Sequence, residues 1–489
     1  MCDYEQQLEA LYGSEAVFKP GQLPALEALE QGENVIALLP TGGGKSLIYQ
    51  LFHYQKEGLA VIVSPLVALM QDQVAQLQML GIKQVVALNS TLNHDEQQDV
   101  LDQLESYRYL FLSPEMIDRP EIIHRLTQQS ISVLVVDEAH CISQWGFDFR
   151  VEYSELINVR RHLNHPLTLA LTATATEKTL ADIQKFLFYP FETVKTIRVS
   201  LDRPNIFYAT KAVDEERKPV TLAEDLKQLP KPGIVYVHQK AEAEALQAEL
   251  RAKTDLSVAT YHADHRPEDR YSTQQQFLHG ELDVILATSA FGMGINQGNI
   301  RFVIHYHLPF TMAEIIQEIG RCGRDGQQAY GLTYYNDEEF SRLSYFMTDQ
   351  YPLEKPFYGM LVHTFKHHSA EFLEAEGTDE QVISLLNFYQ RHFASPAQAI
   401  AHYRQFLIVK QQEVRKVIHY CQTPQCLRQY LLSSFDEALA VKPAFCCKND
   451  QANYQESETW LSYLNSGQVS LHLQHDLPHW RERLASLLG

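Results

Sequence analysis

Residues Leu39 to Ser46 read LPTGGGKS, with a β-branched apolar run before them and a helical pattern after them. Glycines in such a turn let backbone N–H groups curl around phosphate oxygens, and the helix that follows adds positive potential at its N-terminus. Thr41, Gly42, Gly43 and Gly44 form the cradle. Lys45 is spaced to reach the β- and γ-phosphates, and the Ser46 hydroxyl to bind Mg²⁺. A second element follows an apolar run, VLVV at 133–136, which delivers Asp137 and Glu138 at its end. Asp137 is placed to hold Mg²⁺ with Ser46, and Glu138 to act as the base that aligns an attacking water. A third element, QEIGRCGRDG at 317–326, carries Arg321 and Arg324 three apart, a spacing that puts both on one helical face. Arginines so presented across a cleft stabilise charge on a transferring phosphoryl group.

These residues need strands to position them. Asn34–Leu39, Leu59–Val63, Tyr109–Leu112, Val133–Val136 and Leu167–Leu171 are apolar throughout rather than alternating, as parallel strands buried on both faces are. Helical stretches such as Leu69–Leu80 lie between them. The pattern then restarts. Gly233–Val237, Val258–Tyr261, Val284–Ala287, Phe302–His305 and Gly331–Tyr335 read as strands, Ala241–Leu250 as a helix, and Ile315–Ile319 as the opening of another. Repeated β–α units imply two doubly wound parallel sheets. Pro190–Pro204 reads as the linker between them. From about 340 to 445 the strand signal fades into aromatic, His-rich helical sequence.

Composition bounds the partners. The 489 residues carry 61 acidic and 41 basic side chains, a net charge of −20. Nucleic acid bound by bulk charge would need a basic chain, so any such contact must use a local groove. The N-terminus lacks the basic and apolar regions of a secretory signal, and no apolar tract approaches a membrane span, so a cytoplasmic protein is expected, with no membrane partner. Of seven cysteines, Cys421, Cys426, Cys446 and Cys447 cluster late, which suggests a metal before a disulfide.

The three elements together resemble the superfamily 2 helicases, and two further motifs narrow the resemblance to the RecQ family. FKPGQ at 18–22 is similar to that family's nucleotide motif. CISQWGFDFR at 141–150, directly after Asp137-Glu-Ala-His140, is similar to its aromatic-rich loop. Further segments match in order: VSPLVALMQDQ (63–73), LNST (88–91), SPE (113–115), LTATA (171–175), DRPNI (202–206), YHA (261–263) and ATSAFGMGIN (287–296). The resemblance covers residues 10 to 345 densely. It implies two RecA-like α/β lobes and then a small, mostly helical region similar to the family's zinc module. The implied division is 1–204, 205–342 and 343–450, with a short tail at 451–489.

The resemblance also implies roles. Lys19 and Gln22 would bind nucleotide, with Gln22 on the adenine edge and Tyr12 the candidate to stack on it. Ser143, Gln144, Trp145, Phe147, Phe149 and Arg150 would meet DNA, as would Asn89 and Ser90. Aromatic side chains in a loop suit unpaired bases, each stack being worth about 1–3 kcal/mol. Thr172 and Thr174 would link the ATP cleft to DNA. The implied activity is an ATP-dependent 3′→5′ DNA helicase in repair and recombination, nucleoid-associated, acting on single-stranded and tailed duplex DNA, with single-strand-binding or recombination proteins as partners. ATP and Mg²⁺ are the cofactors. The alternatives are a DNA-dependent ATPase or scaffold that does not separate strands, and an RNA helicase.

The sequence departs from the family in three places. Lys19 stands where relatives have Arg, and Gln297-Gly298 where they have Lys-Pro. The zinc pattern is irregular, because Cys446 and Cys447 are adjacent instead of spaced as C-x-x-C. Adjacent residues seldom both reach one tetrahedral ion. Zinc on Cys426, Cys446 and Cys447 would need a fourth ligand from His419, Cys421 or Asp450. The segment after Cys447 is too short for the family's winged-helix domain, so that domain is expected to be missing.

Overall fold

The computed structural model describes residues 3–143, 150–262, 264–288, 291, 297–349, 354–367 and 378–450. Its first sheet has seven strands: β1 Asn34–Leu38, β2 Leu59–Val63, β3 Val85–Leu88, β4 Tyr109–Leu112, β5 Ile131–Val136, β6 Thr168–Thr172 and β7 Val194–Arg198. They lie in the order β3-β4-β2-β5-β6-β1-β7, all parallel. Successive β1 residues enter opposite cores. Ile36 and Leu38 pack with Val61, Leu134 and the helix Glu177–Leu187. Val35 and Ala37 pack with the helices Gln22–Glu30 and Lys45–Tyr54. Burial on both faces is why these strands read as unbroken apolar runs.

The second sheet has six parallel strands: β8 Ile206–Ala212, β9 Gly233–Tyr236, β10 Val258–Tyr261, β11 Val284–Ala287, β12 Phe302–His305 and β13 Ala329–Tyr335, in the order β10-β11-β9-β12-β13-β8. Beyond it come the helices Asp337–Asp349, Glu354–His367, Glu380–His392, Pro396–Gln422 and Leu427–Ser433. Phe357, Leu386, Tyr389 and Tyr403 form a small aromatic core of their own. Val417, Tyr420, Leu427 and Leu431 instead join the core that also holds Ile206, Tyr208 and Ile234, so this region is fastened to the second sheet. A single bridge pairs Tyr208 of β8 with Cys447.

Three strands differ from expectation. β3, β7 and β8 were not legible as strands, and β7 falls inside the stretch read as a linker. The β7 sequence, VKTIR, is mostly exposed apart from Ile197. It is an edge strand, and half-solvated edges carry the polar residues that resemble a loop. The crossing between sheets is therefore short, from Val199 to Asn205. The helix expected to open at Ile315 runs instead from Met312 to Ile319, capped by the Thr311 hydroxyl on the Glu314 N–H at 3.1 Å. It ends at Ile319 instead of running on past it, so Arg321 and Arg324 lie in a turn and not on a helical face. Among the described residues no helix is long and apolar enough to cross a membrane.

Candidate nucleotide site and its relatives

The carboxyl end of β1 opens a cavity of about 520 Å³. Its floor is the 41–46 loop. Gly42 (φ +80°) and Gly44 (φ +68°) take left-handed backbone conformations, and the helix Lys45–Tyr54 starts immediately after. A Cβ on Gly44 would sit 2.4 Å from Gln22 Nε2. The loop is held from behind by its carbonyl oxygens. Gln22 Nε2 donates to Gly43 O (2.9 Å) and Gly44 O (3.0 Å), while its own oxygen accepts from the Lys19 N–H (2.8 Å). Lys19 Nζ donates to Gly42 O at 2.8 Å. Thr41, Ser46 and Tyr12 complete this wall, the Tyr12 hydroxyl meeting Gln50 Oε1.

Asp137 and Glu138 form the opposite wall at the end of β5. Glu138 has φ +47°, a conformation rare outside glycine that clusters at functional sites. Its Oε1 lies 3.3 Å from Lys45 Nζ and its Oε2 3.3 Å from His140 Nδ1. Burial opposes its charge, but Lys45 and His140 outweigh burial and hold Glu138 well below the usual carboxylate range. Burial and the neighbouring Glu138 charge push Asp137 up to about 6. Tyr153 anchors the turn by donating to Asp137 O at 2.9 Å.

The third wall comes from the second sheet. Gln317, Arg321 and Arg324 face the loop, and a Cβ on Gly42 would stand 3.0 Å from Arg324 Cδ and Nε. Burial first, then Arg321 and Arg203, bring Arg324 down to about 9. Burial, Arg324 and Arg203 likewise lower Lys19. Cations gathered against their own solvation and mutual repulsion are arranged for an anionic guest. Residues of both sheets thus line one crevice in which cations outnumber carboxylates.

The DEAD/DEAH box helicase family matches residues 19–183, and the helicase conserved C-terminal domain matches residues 218–326. The chain is 45% identical over 335 residues to the probable ATP-dependent DNA helicase RecS of Bacillus subtilis, covering 68% of this chain and 66% of that one. It is 36% identical over 397 residues to the ATP-dependent DNA helicase RecQ of Pasteurella multocida, covering 80% of this chain and 60% of the other. The chain belongs to the RecQ family of superfamily 2 helicases. It spans about two thirds or less of the length of these relatives. Two solved structures share its fold. Mycobacterium smegmatis helicase Lhr, bound to ssDNA and AMP-PNP, gives a TM-score of 0.56 at 17% identity over 86% of this chain and 57% of that one. Saccharomyces cerevisiae Dbp5, bound to RNA and ADP BeF3, gives 0.56 at 18% identity over 71% of this chain and 91% of the other.

The residues expected to meet DNA are less uniform in this RecQ-family chain. Gln144, Trp145, Phe147 and Phe149 lie outside the described residues. Ser143 is buried and donates to Asp182 Oδ2 at 2.6 Å, so it ties the start of the loop to the helix Glu177–Leu187 instead of facing a ligand. Arg150 is half-exposed and donates to Pro65 O at 3.1 Å. Asn89 is buried, its oxygen accepting from Thr91 N–H (2.9 Å) and hydroxyl (2.6 Å), which leaves Ser90 as the exposed member of that pair. His140 Nδ1 lies 3.0 Å from Thr172 Oγ1, and Thr172 donates to Thr174 O. That chain joins the carboxylate wall to the segment after β6, a link the sequence left without its His140 member.

The cysteines converge despite their spacing. Cys426 Sγ lies 3.5 Å from Cys446 Sγ and 3.8 Å from Cys447 Sγ, and Cys447 Sγ lies 3.1 Å from Asp450 Oδ2. One ligand atom from each of these four falls within 4.8 Å of every other. Tetrahedral bonds of about 2.3 Å place thiolates roughly 3.8 Å apart, so the set fits zinc. Asp450 supplies the fourth position. Cys421 does not join, and the His419 ring packs on Tyr430 at 5.1 Å.

Proposed function

We propose that this chain is an ATP-dependent DNA helicase that moves 3′→5′ along single-stranded DNA and opens tailed duplexes, in DNA repair and recombination. The observation that carries this reading is the crevice itself. Lys45 and Glu138 from one sheet and Arg321 and Arg324 from the other converge on it. Both sheets therefore supply walls around a bound triphosphate. Each cycle would then move the two lobes, 1–204 and 205–342, against each other. The helical region 343–450 would ride on the second lobe, followed by the 451–489 tail.

In this reading the loop from Thr41 to Ser46 cradles the phosphates and Gln22 turns from the loop carbonyls to the adenine edge. Lys45 holds the γ-phosphate. Glu138, kept ionised by Lys45 and His140, accepts the proton of the attacking water. Arg321 and Arg324 neutralise the charge that builds on the transferring group. Mg²⁺ on Ser46 and Asp137 would neutralise the β- and γ-oxygens. DNA would run past Ser90, Arg150 and the aromatic loop. Zinc on Cys426, Cys446, Cys447 and Asp450 would close the helical region, and elemental analysis at one zinc per chain tests it. A cytoplasmic, nucleoid-associated enzyme working with single-strand-binding or recombination proteins completes the proposal.

The test is strand displacement on matched 3′-tailed and 5′-tailed duplexes. Opening of the 3′-tailed substrate alone, abolished in Glu138→Gln, is the expected result. DNA-stimulated hydrolysis without displacement would replace the helicase reading with that of a translocase or scaffold. Stimulation by RNA alone would replace it with that of an RNA helicase.

A further inference from the structure

The segment that crosses between the sheets is gripped on both sides. On one side stands Arg428, fully buried, two residues after Cys426. Its guanidinium donates to Asp202 Oδ1, to Arg203 O at 2.8 Å and to Ile206 O, and it lies over the Tyr208 ring at 4.9 Å. Arg203 extends from the other side. It donates to Gly320 O (3.3 Å), Cys322 O (3.3 Å) and Gly323 O (2.5 Å). Asn205 Nδ2 adds bonds to Gly323 O (2.8 Å) and Gln327 O (2.7 Å). All four carbonyls belong to the turn that presents Arg321 and Arg324. The fit has no slack, since a Cβ on Gly323 would lie 2.5 Å from Asn205 Nδ2.

We propose that Arg203 and Arg428 are positioning residues for ATP hydrolysis: Arg428 fixes the crossover, and Arg203 sets the reach of Arg321 and Arg324 into the phosphate site. The inference rests on the reading of those two arginines as γ-phosphate ligands. A guanidinium fork on three carbonyl oxygens fixes a turn in a way that the single point charge of lysine cannot. It also sits where the carbonyls at the end of the helix Met312–Ile319 favour a cation. A group displaced by about 1 Å loses roughly 100-fold in rate. The cysteine-bearing segment thereby acts on the nucleotide crevice without touching it.

The test uses the full chain with single-stranded DNA, and reads saturated ATP turnover beside the affinities for ADP and for ADP–aluminium fluoride. Arg324→Ala should lose about 1000-fold in turnover and lose its preference for the fluoride complex. Arg203→Gln should lose about 100-fold with the same loss of preference, at unchanged ADP affinity, and Arg203→Lys should not restore it. Asp202→Asn, which keeps its shape, should lose about tenfold by loosening Arg428. The double variant Asp202→Asn/Arg203→Gln should match Arg203→Gln alone, since residues acting in one chain are not additive. Normal turnover in Arg203→Gln, rescue by lysine, or ADP affinity falling in step with turnover would overturn the relay. If Arg324→Ala keeps its preference for the fluoride complex, the γ-phosphate reading fails, and the relay with it.

Discussion

Both sheets end in a cavity of similar size at their carboxyl edge, about 520 Å³ beyond β1 and about 470 Å³ beyond β9 and β12. Their linings have opposite character. The first gathers Lys19, Lys45, Arg321 and Arg324 around two carboxylates. The second sets Glu242, Glu314, Glu318 and Glu339 against Arg342, with His307 bonded to Glu242 (2.7 Å) and Glu339 (2.6 Å). The turns differ too. Two left-handed glycines follow β1, whereas Val237-His238-Gln239 follows β9 and the backbone is extended at Gln239. Parallel sheets supply crevices of this kind wherever their strands end. Only side chains and turn geometry decide which one takes a triphosphate.

The strongest way to break this comparison is at the loop. Gly42→Ala puts a side chain on a left-handed residue and against Arg324, so turnover should fall about 100-fold in a steady-state ATPase assay. Wild-type turnover would show that the glycine cradle is not what separates the two crevices.

Mild alkali, more than acid, should then separate the lobes. His53, in the helix that follows the phosphate loop, is buried, and burial and Arg108 bring it down to about 4. Among the described residues its Nε2 has no hydrogen-bond partner, so a proton there would be stranded. A base depressed in the folded state loses stability as pH falls from about 6.5 towards 4, here by about 3 kcal/mol. His307 runs the other way. Burial opposes its charge, but Glu242 and Glu339 outweigh burial and hold it above its ordinary value. Its contribution is present in full below the unfolded value and is lost as pH rises through the raised one. Between about pH 6.5 and 9, below the ordinary tyrosine range, hydrogen exchange should show the second lobe alone loosening, whereas in acid both should loosen, because burial also brings His238 down to about 4. His53→Gln should flatten the acid limb of the first lobe and His307→Gln the alkaline limb of the second, and matching slopes in both lobes between about pH 6.5 and 9 would contradict this.

The smallest effects concern caps. Asn93 caps the helix His94–Asp102 with a reciprocal bond from Glu96, and Thr311 caps Met312–Ile319. Alanine at either should cost about 1 kcal/mol in chemical denaturation. Turnover should fall only for Thr311→Ala, because its helix ends at the arginine turn.

The sequence made the first crevice legible almost residue by residue, because phosphate binding constrains spacing within one short turn. Strands buried on both faces were equally plain. The edge strand β7 was hidden because three of its five residues, Lys195, Thr196 and Arg198, are exposed and polar and read as linker. The arginine turn was placed on a helix because a three-residue spacing suits a turn as well as a helix. The cysteine set looked defective because adjacency in sequence does not report where two thiols point. Arg203 lay in a matched segment without a role of its own and Arg428 was silent, because most of their partners are backbone carbonyls, which leave no trace in residue type.

The bridge from Tyr208 to Cys447 bears on solubility. β8 ends the order of the second sheet and carries the aromatic, β-rich sequence IFYATKA. The free edge of such a strand is a template for adding another chain. Here the Tyr208 N–H meets Cys446 O at 3.4 Å, Lys448 Nζ meets Thr210 O, Arg428 meets Ile206 O, and the Thr210 hydroxyl donates to Cys421 O at 3.3 Å. The helical region thus blunts this edge with side chains and a single rung of ladder. A chain cut before residue 396 would keep both sheets but leave β8 bare, and it should self-associate into β-rich aggregates.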